Sequence, residues 1–496
     1  MRHRRPGRPL QLQSPGGGAL LPGGVHHPLL QGALGDLDLK LGRGAKFIAV
    51  ASASLLSFYA SSGLLTQGER CALMLLILAA GLWMTEALPL AATSLLIPLL
   101  QSMLGIQGFR EALQPFFDPV VMLLLGGFLL AVAVDKHDLD EYIAHLILSR
   151  FGGDARLLIL LTMLTTALLS MWISNTASTA LMLAIALRMT EEAGDSRGNL
   201  SKILVLGVAY SATVGGLATL VGTTTTAMAA GMLREMTGYE ITFLGWSLLG
   251  LPITLTMIPI IWLLLLTLFP TDVKRLPALE VELEMNPRQR LTLILFASSI
   301  ALWATGRLPE PLARLLGWGG HGLSSGAVAA LIGFLLFLTG LLDEHDISRV
   351  DWGTLLLIGG GLSLGSALKV SGLTARIGGV ILSLGELPTP MTLLLIAFLS
   401  LGVSIIASNT ASAGILLPIA IGMSGAMGIK ASIPAAVVGI ATSLDFMLPV
   451  GTPPNAIAYS TGKVSLREMI KAGVLLDIIG GLLTTLMALI LWPHIL

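Results

Sequence analysis

The chain has 496 residues, 54% hydrophobic and 12% charged, with Lys+Arg and Asp+Glu balanced at 29 each. Soluble domains carry about a quarter charged residues, so this composition, with a mean hydropathy of +0.84, points to a polytopic membrane protein. The balance leaves no basic stripe for nucleic acid, and a single cysteine, Cys71, excludes an intrachain disulfide and a cysteine metal cluster.

Residues 1–45 carry Arg2, Arg4, Arg5 and Arg8, then Gly, Pro, Gln and His without periodicity, which reads as a disordered basic tail. With Lys40, Arg43 and Lys46 also preceding the first apolar run at Phe47, a cytoplasmic N-terminus is expected. The charged stretch lies too far from that run to form a signal peptide. Apolar runs follow near 47–66, 72–106 (room for two short spans), 119–134, 157–190, 201–232 and 241–269. A polar break at 271–290 holds Asp272, Lys274, Arg275, Glu280, Glu282, Glu284, Arg288 and Arg290, and further runs lie near 291–305, 323–342, 352–370, 389–428, 433–461 and 468–492. The chain thus divides into a first half, 46–269, a linker, 270–290, and a second half, 291–496, with a span count left between about 10 and 13 by hydropathy alone.

The two halves share landmarks. Ser174-Asn175-Thr176 and Ser408-Asn409-Thr410 both continue as Ala-Ser and stand 234 residues apart. Double glycines precede them at matching places, Gly126 and Gly360 being again 234 apart, and Gly222-Thr223-Thr224 and Gly451-Thr452-Pro453 follow them with an offset of 229. An internal repeat of this kind, inverted if each half spans the membrane an odd number of times, is the usual pointer to a secondary transporter. The short, glycine-centred runs at Gly126 and Gly360 read as re-entrant helical hairpins, which survive at membrane depth only when buried or lining a cavity.

Residues 157–187 and 387–429 contain no Asp, Glu, Lys or Arg, so each Ser-Asn-Thr cluster sits in hydrocarbon-compatible sequence. An unsatisfied amide there costs several kcal/mol. Ser, Asn and Thr compete for backbone hydrogen bonds, so each helix is expected to break at its cluster. The carbonyls freed by a break, with hydroxyl and Asn oxygens, suit a hard cation such as sodium; the next half-helix N-terminus with an Asn NH2 suits a carboxylate or other oxyanion. The plainer reading is that such residues merely join helices by hydrogen bonds. Repetition at one spacing favours a site. With no Lys or Arg in either segment, bound sodium ions are the natural offset for a dianion, which makes anion binding ion-dependent.

Other motifs say less. Pro453-Pro454 removes two donors and is read as a second backbone discontinuity in an extended bend. Ionisable residues in apolar context are Glu86, Asp118, Asp445 and Asp477. Glu86 reads as structural at a membrane surface, whereas Asp445, six residues before Gly451, is open between a proton or cation role and a hydrogen-bonded carboxyl near a helix end. Asp343-Glu344-His345-Asp346 reads as a solvated loop rather than a metal site. The glycine run at 359–365 lacks the strand–turn–helix context of a nucleotide loop, and the absence of HExxH leaves an intramembrane metalloprotease without residues to support it.

Taken together, the two SNTAS strings, the Leu-Gly-Gly-Phe and Gly-Gly-Gly-Leu runs, Phe446 to Ile457 and Thr85-Glu86-Ala87-Leu88-Pro89 resemble the divalent anion/sodium symporter family over about residues 70–496. The resemblance implies an all-α fold of about 11 transmembrane helices, two re-entrant hairpins and two inverted repeats in a homodimer, working as an elevator with a transport domain near 115–232 and 350–461. It places one sodium on Ser170, Ser174, Asn175 and the Gly222 carbonyl, and another on Ser404, the Ala407 carbonyl, Asn409 and the Gly451 carbonyl. It places substrate carboxylates on Asn175, Thr176, Asn409, Thr410, Thr452 and Pro453. The sequence departs from the family at Thr224–Thr226, where a proline and an asparagine are common. The expected function is a sodium-coupled importer of di- or tricarboxylates such as succinate, malate or fumarate, in a bacterial inner membrane, and not an enzyme. Rivals are a sulfate or other oxyanion symporter, a proton-coupled carrier using Asp445, a sodium-independent exchanger and, from another class, an ion channel.

Overall fold

A computed structural model describes residues 42–149, 153–193, 195, 198–276, 284–308, 310–383, 387–425 and 427–496. The basic tail expected over 1–45 lies outside the described residues up to position 41, and its last residues already belong to a helix. In chain order the helices used below are α1 (Arg43–Ala60), α2 (Gln67–Thr85), α3 (Leu90–Met103), α4 (Pro119–Lys136), α5 (Leu139–Leu148), α6 (Ala155–Ser170), α7 (Asn175–Glu192), α8 (Asn199–Gly216), α9 (Thr224–Thr237) and α10 (Phe243–Leu268). They continue as α11 (Pro287–Thr305), α12 (Ser325–Leu338), α13 (Trp352–Val370), α14 (Leu373–Ser383), α15 (Thr389–Ile406), α16 (Asn409–Met423), α17 (Ser432–Ala441), α18 (Pro453–Ser460) and α19 (Leu466–Ile490). Among the described residues, six of these, α2, α4, α10, α13, α15 and α19, are long and apolar enough to cross a membrane, and five shorter apolar helices accompany them. The only sheet among the described residues is a two-residue antiparallel ladder, Gly153–Asp154 against Arg275–Leu276, which ties the polar segment after α10 to the start of α6.

Local chemistry sets the helix ends. Reciprocal side-chain caps open α2 (Thr66 with Glu69), α11 (Asn286 with Gln289) and α19 (Ser465 with Glu468). Asp118 and Asp351 cap α4 and α13, their carboxylates accepting from Val120 N and Thr354 N at 2.8 and 3.0 Å. Asp118 also receives Arg234 at 3.0 Å, which makes it structural, and exposed Glu86 ends α2 in a left-handed conformation (φ 48°). Asp343 caps a 3-10 helix, Glu344–Arg349, and the Asp343 and Asp346 carboxylates receive Lys136 at 2.9 and 2.5 Å.

The double glycines correct one expectation. Gly126-Gly127 and Gly359-Gly360-Gly361 lie inside α4 and α13, and do not form the tips of hairpins. The turns come later, at Asp138 (φ 51°) before α5 and at Gly372 (φ 81°) before α14. The glycines instead let helices touch. A Cβ on Gly126 would stand 2.5 Å from the Ala329 Cβ of α12, and one on Gly360 would stand 2.4 Å from the Ser94 Cβ of α3. So α4, from the first half, packs on α12 of the second, and α13 packs on α3 of the first. Helix starts recur in step with this: α4, α5, α6, α7 and α8 begin 233 or 234 residues before α13, α14, α15, α16 and α17.

The main apolar core runs through α4, α6–α10, α12 and α17, and a smaller one gathers around Trp83 between α2, α3 and α13.

Candidate substrate and cation site

Four helix breaks build the site. The first separates α6 from α7, where Ser174 caps the new helix by accepting from Ala177 N at 3.2 Å. Its counterpart separates α15 from α16, where Ser408 accepts from Ala411 N at 3.3 Å. Both Ser-Asn-Thr clusters therefore break their helices as their chemistry requires, with each Asn as the first residue of the second segment. The third break, 217–223, joins α8 to α9, and the fourth, 442–452, joins α17 to α18. Pro453 and Pro454 prove to open α18 rather than to bend the chain. A first helical turn has no partner for their missing N–H groups, and Thr452 before them is extended (φ −133°, ψ 150°) and caps Asn455 N at 3.2 Å.

Packing then crosses the halves. α7 lies beside α18, and α16 lies beside α9, so each Ser-Asn-Thr segment meets the other half's Gly-Thr segment. Hydroxyl pairs fasten the junction: Thr224 to Thr410 at 2.5 Å, and Thr225 to Ser443 at 2.7 Å. The threonines that depart from the family pattern thus hold the two halves together, and Thr226 donates to Thr219 O and Thr223 O at 3.1 and 2.8 Å.

In the first half-site, Ser170 Oγ donates to Asn175 Oδ1 at 2.6 Å and to the Ala212 carbonyl at 2.7 Å. The same Asn175 oxygen stands 3.2 Å from the Ala212 carbonyl and 3.2 Å from the Gly222 carbonyl. Four oxygens therefore converge. Two arrangements relieve their repulsion: the amide turns its NH2 into the cluster, or a cation sits among them. Gly216 makes room for this: a Cβ there would stand 2.5 Å from Asn175 Oδ1 and 3.0 Å from Gly222 O. Gly222 is held in place by Thr219, whose hydroxyl accepts from Gly222 N at 3.1 Å and donates to Met171 O at 2.6 Å.

The second half-site repeats the pattern with one change. Ser404 Oγ donates to Asn409 Oδ1 at 2.8 Å and, at a shorter distance, to the Thr442 carbonyl. Asn409 then uses its NH2 on Asp445 Oδ1 at 3.2 Å. Gly451 packs against that carboxylate, a Cβ on it falling 2.5 Å from Asp445 Oδ2. Asp477, the other acid in apolar context, accepts from Phe446 N at 2.8 Å and holds the break in shape.

Of the residues expected from the sequence, Ser170, Asn175 and Gly222 come together, as do Ser404 and Asn409. Ser174 is engaged in its cap, and Ala407 is the extended link between α15 and its successor; no side-chain hydrogen bond brings either into a cluster. Thr176 and Pro453 are exposed, Asn175, Asn409 and Thr410 half-buried, and Thr452 buried. The Ala212 and Thr442 carbonyls, which Ser170 and Ser404 meet, were not expected, because a backbone carbonyl leaves no mark in residue type. Two shallow clefts bounded by α4, α9, α10, α11 and α12 lie away from these residues.

The family model described as citrate transporter (CitMHS) matches residues 80–442. An uncharacterized transporter of Haemophilus influenzae is 36% identical over 427 residues, covering 85% of this chain and 91% of its own length. The sodium-dependent dicarboxylate transporter SdcS of Staphylococcus aureus is 31% identical over 442 residues, covering 84% of each chain. In fold, the chain resembles the YdaH transporter of Alcanivorax borkumensis, with a TM-score of 0.58 at 17% identity, over 78% of this chain and 90% of that one. The chain therefore belongs to the citrate transporter family, among the divalent anion/sodium symporters that its paired motifs resemble, and is a multi-pass membrane transporter rather than an enzyme.

Proposed function

We propose that the chain is a sodium-coupled symporter importing di- or tricarboxylates such as succinate, malate or fumarate. The observation that carries this reading is the convergence of the Asn175 amide, Ser170 Oγ and the Ala212 and Gly222 carbonyls, which form an all-oxygen set suited to a hard monovalent cation when the amide turns its oxygen toward them. On this reading one sodium is held by Ser170, Ser174, Asn175 and Gly222, and another by Ser404, Ala407, Asn409 and Gly451. The carboxylates of the substrate meet Asn175, Thr176, Asn409, Thr410, Thr452 and Pro453, where the N-termini of α7 and α16 offer amides. The cations supply the positive charge that these segments lack, so anion and sodium bind together. The sodium-dependent dicarboxylate relative supports the choice of ion and substrate class.

The same reading takes the two halves as inverted repeats and the protein as a homodimer in a bacterial inner membrane with a cytoplasmic N-terminus. The segments near 115–232 and 350–461 move as a transport domain against the remaining helices. Reciprocal packing of α4 on α12 and α13 on α3 is what two such repeats would produce.

Radiolabelled succinate uptake into proteoliposomes, with and without an inward sodium gradient, tests it. Saturable, sodium-dependent uptake that Asn175→Ala abolishes at normal membrane expression is the expected result. Uptake indifferent to sodium but driven by preloaded dicarboxylate would replace symport with exchange.

A further inference from the structure

The two half-sites differ at one position. Ser170 donates to the Ala212 carbonyl and Ser404 to the Thr442 carbonyl, an offset of 230, whereas Gly222 and Gly451 are 229 apart. By either offset Asp445 falls on a glycine of the first half, Gly215 (445 − 230) or Gly216 (445 − 229). Gly216 is the residue whose missing side chain leaves room beside Asn175. In the second half that room is filled by a carboxylate.

The carboxylate is 1% exposed. One oxygen accepts from the Asn409 NH2; the other, Oδ2, is fully buried and has no hydrogen-bond partner. Among the described residues no Lys, Arg or His pairs with it, and the neighbouring acid, Asp477, carries the same sign. The Asn455 oxygen, in the helix that ends this break, is likewise buried without a partner, its NH2 being taken by the Asp445 and Leu448 carbonyls. A buried, half-satisfied carboxylate facing glycine backbone, and paired among the described residues with no cationic side chain, calls for a cation.

We propose that Asp445 is a direct ligand of the cation at the second half-site, joining Ser404, Asn409 and the backbone there. This rests on the cation-coupled reading above and deepens it: the half-sites are unequal in charge. The first holds its cation with neutral oxygens alone. The second adds a formal negative charge, so it fills without substrate, and its cation is neutralised locally by Asp445. The cation at Asn175 is then the one whose charge faces the anion.

The test uses the purified full-length protein in detergent, without substrate. Its thermal unfolding midpoint is followed against sodium chloride, with choline chloride holding ionic strength constant. The wild type is expected to be stabilised by sodium in a saturable way. Asp445→Asn, close in shape but uncharged, is expected to raise the half-saturating sodium concentration by about tenfold or more, or to remove the response. Asp445→Ser, which keeps an oxygen without the charge, serves if the first variant is polydisperse, and the same weakening is expected. A sodium titration unchanged in these variants overturns the assignment while leaving sodium coupling intact. Loss of the pH dependence of uptake with that unchanged titration would give Asp445 to protons instead. A wild type that does not respond to sodium overturns the coupled reading and this inference together.

Discussion

Ser170 and Asn175 show how much a single residue type can announce. Their side chains carry clustered polar atoms, so the pairing of Ser with Asn five positions on, repeated at Ser404 and Asn409, leaves its mark in residue type and spacing. Ala212 and Thr442 leave none, since they contribute carbonyls that any residue could supply, 42 and 38 positions from their serines. Gly216 was legible only in retrospect, as the glycine whose hydrogen makes room for the Asn175 oxygen. Gly216→Ala would press a methyl group to 2.5 Å from that oxygen and 3.0 Å from Gly222 O. We expect it to raise the sodium concentration for half-maximal uptake by about tenfold while expression stays normal. An unchanged sodium dependence would separate the Asn175 cluster from coupling.

Helix ends followed from local hydrogen bonding, and the breaks at the two Ser-Asn-Thr clusters were foreseen: Ser174 and Ser408 cap what they break. Two elements behaved otherwise. Pro453 and Pro454 open α18, because a first helical turn has no use for their missing N–H groups. The glycines of α4 and α13 continue their helices, because the crossing helix comes too close for a side chain. Neither outcome is written in periodicity, since both depend on what lies across the interface. That gives a prediction of sign. Gly360→Ala, whose Cβ would overlap Ser94, should destabilise the protein by about 1–3 kcal/mol, by forcing α13 off α3. Gly402→Ala, in α15 with nothing within 4 Å, should instead stabilise by up to about 1 kcal/mol through helix propensity. Melting curves of the two purified variants decide; equal effects would mean that the close approach carries no packing constraint.

Across the whole molecule, charged groups fasten what the glycines bring together. Lys136 at the end of α4 meets Asp343 and Asp346 in the turn after α12, and Arg349 bonds to Asp135. Burial pushes the Asp346 carboxyl up, but hydrogen bonds from Lys136 and from the Asp343 amide outweigh it and hold it below the usual carboxylate range. A depressed value in the folded state means stability present above the unfolded pKa, about 4, and lost as pH falls through the folded one. Asp346→Asn should therefore lower the melting temperature at pH 7, by the equivalent of about 1 kcal/mol, with the deficit shrinking toward pH 3. A deficit that does not change with pH would assign Asp346 a role in shape alone. The sequence by itself determined the membrane class and the breaks at the two Ser-Asn-Thr clusters, because hydropathy and side-chain competition for the backbone act within one or two turns. Only the tertiary structure decided that each Ser-Asn-Thr segment faces the other half's Gly-Thr segment, that Thr224 meets Thr410 across 186 residues, and that Asp445 stands where the first half has a glycine. Those outcomes depend on how closely distant helices approach, which is set by packing across the interface and not by any one segment of the chain.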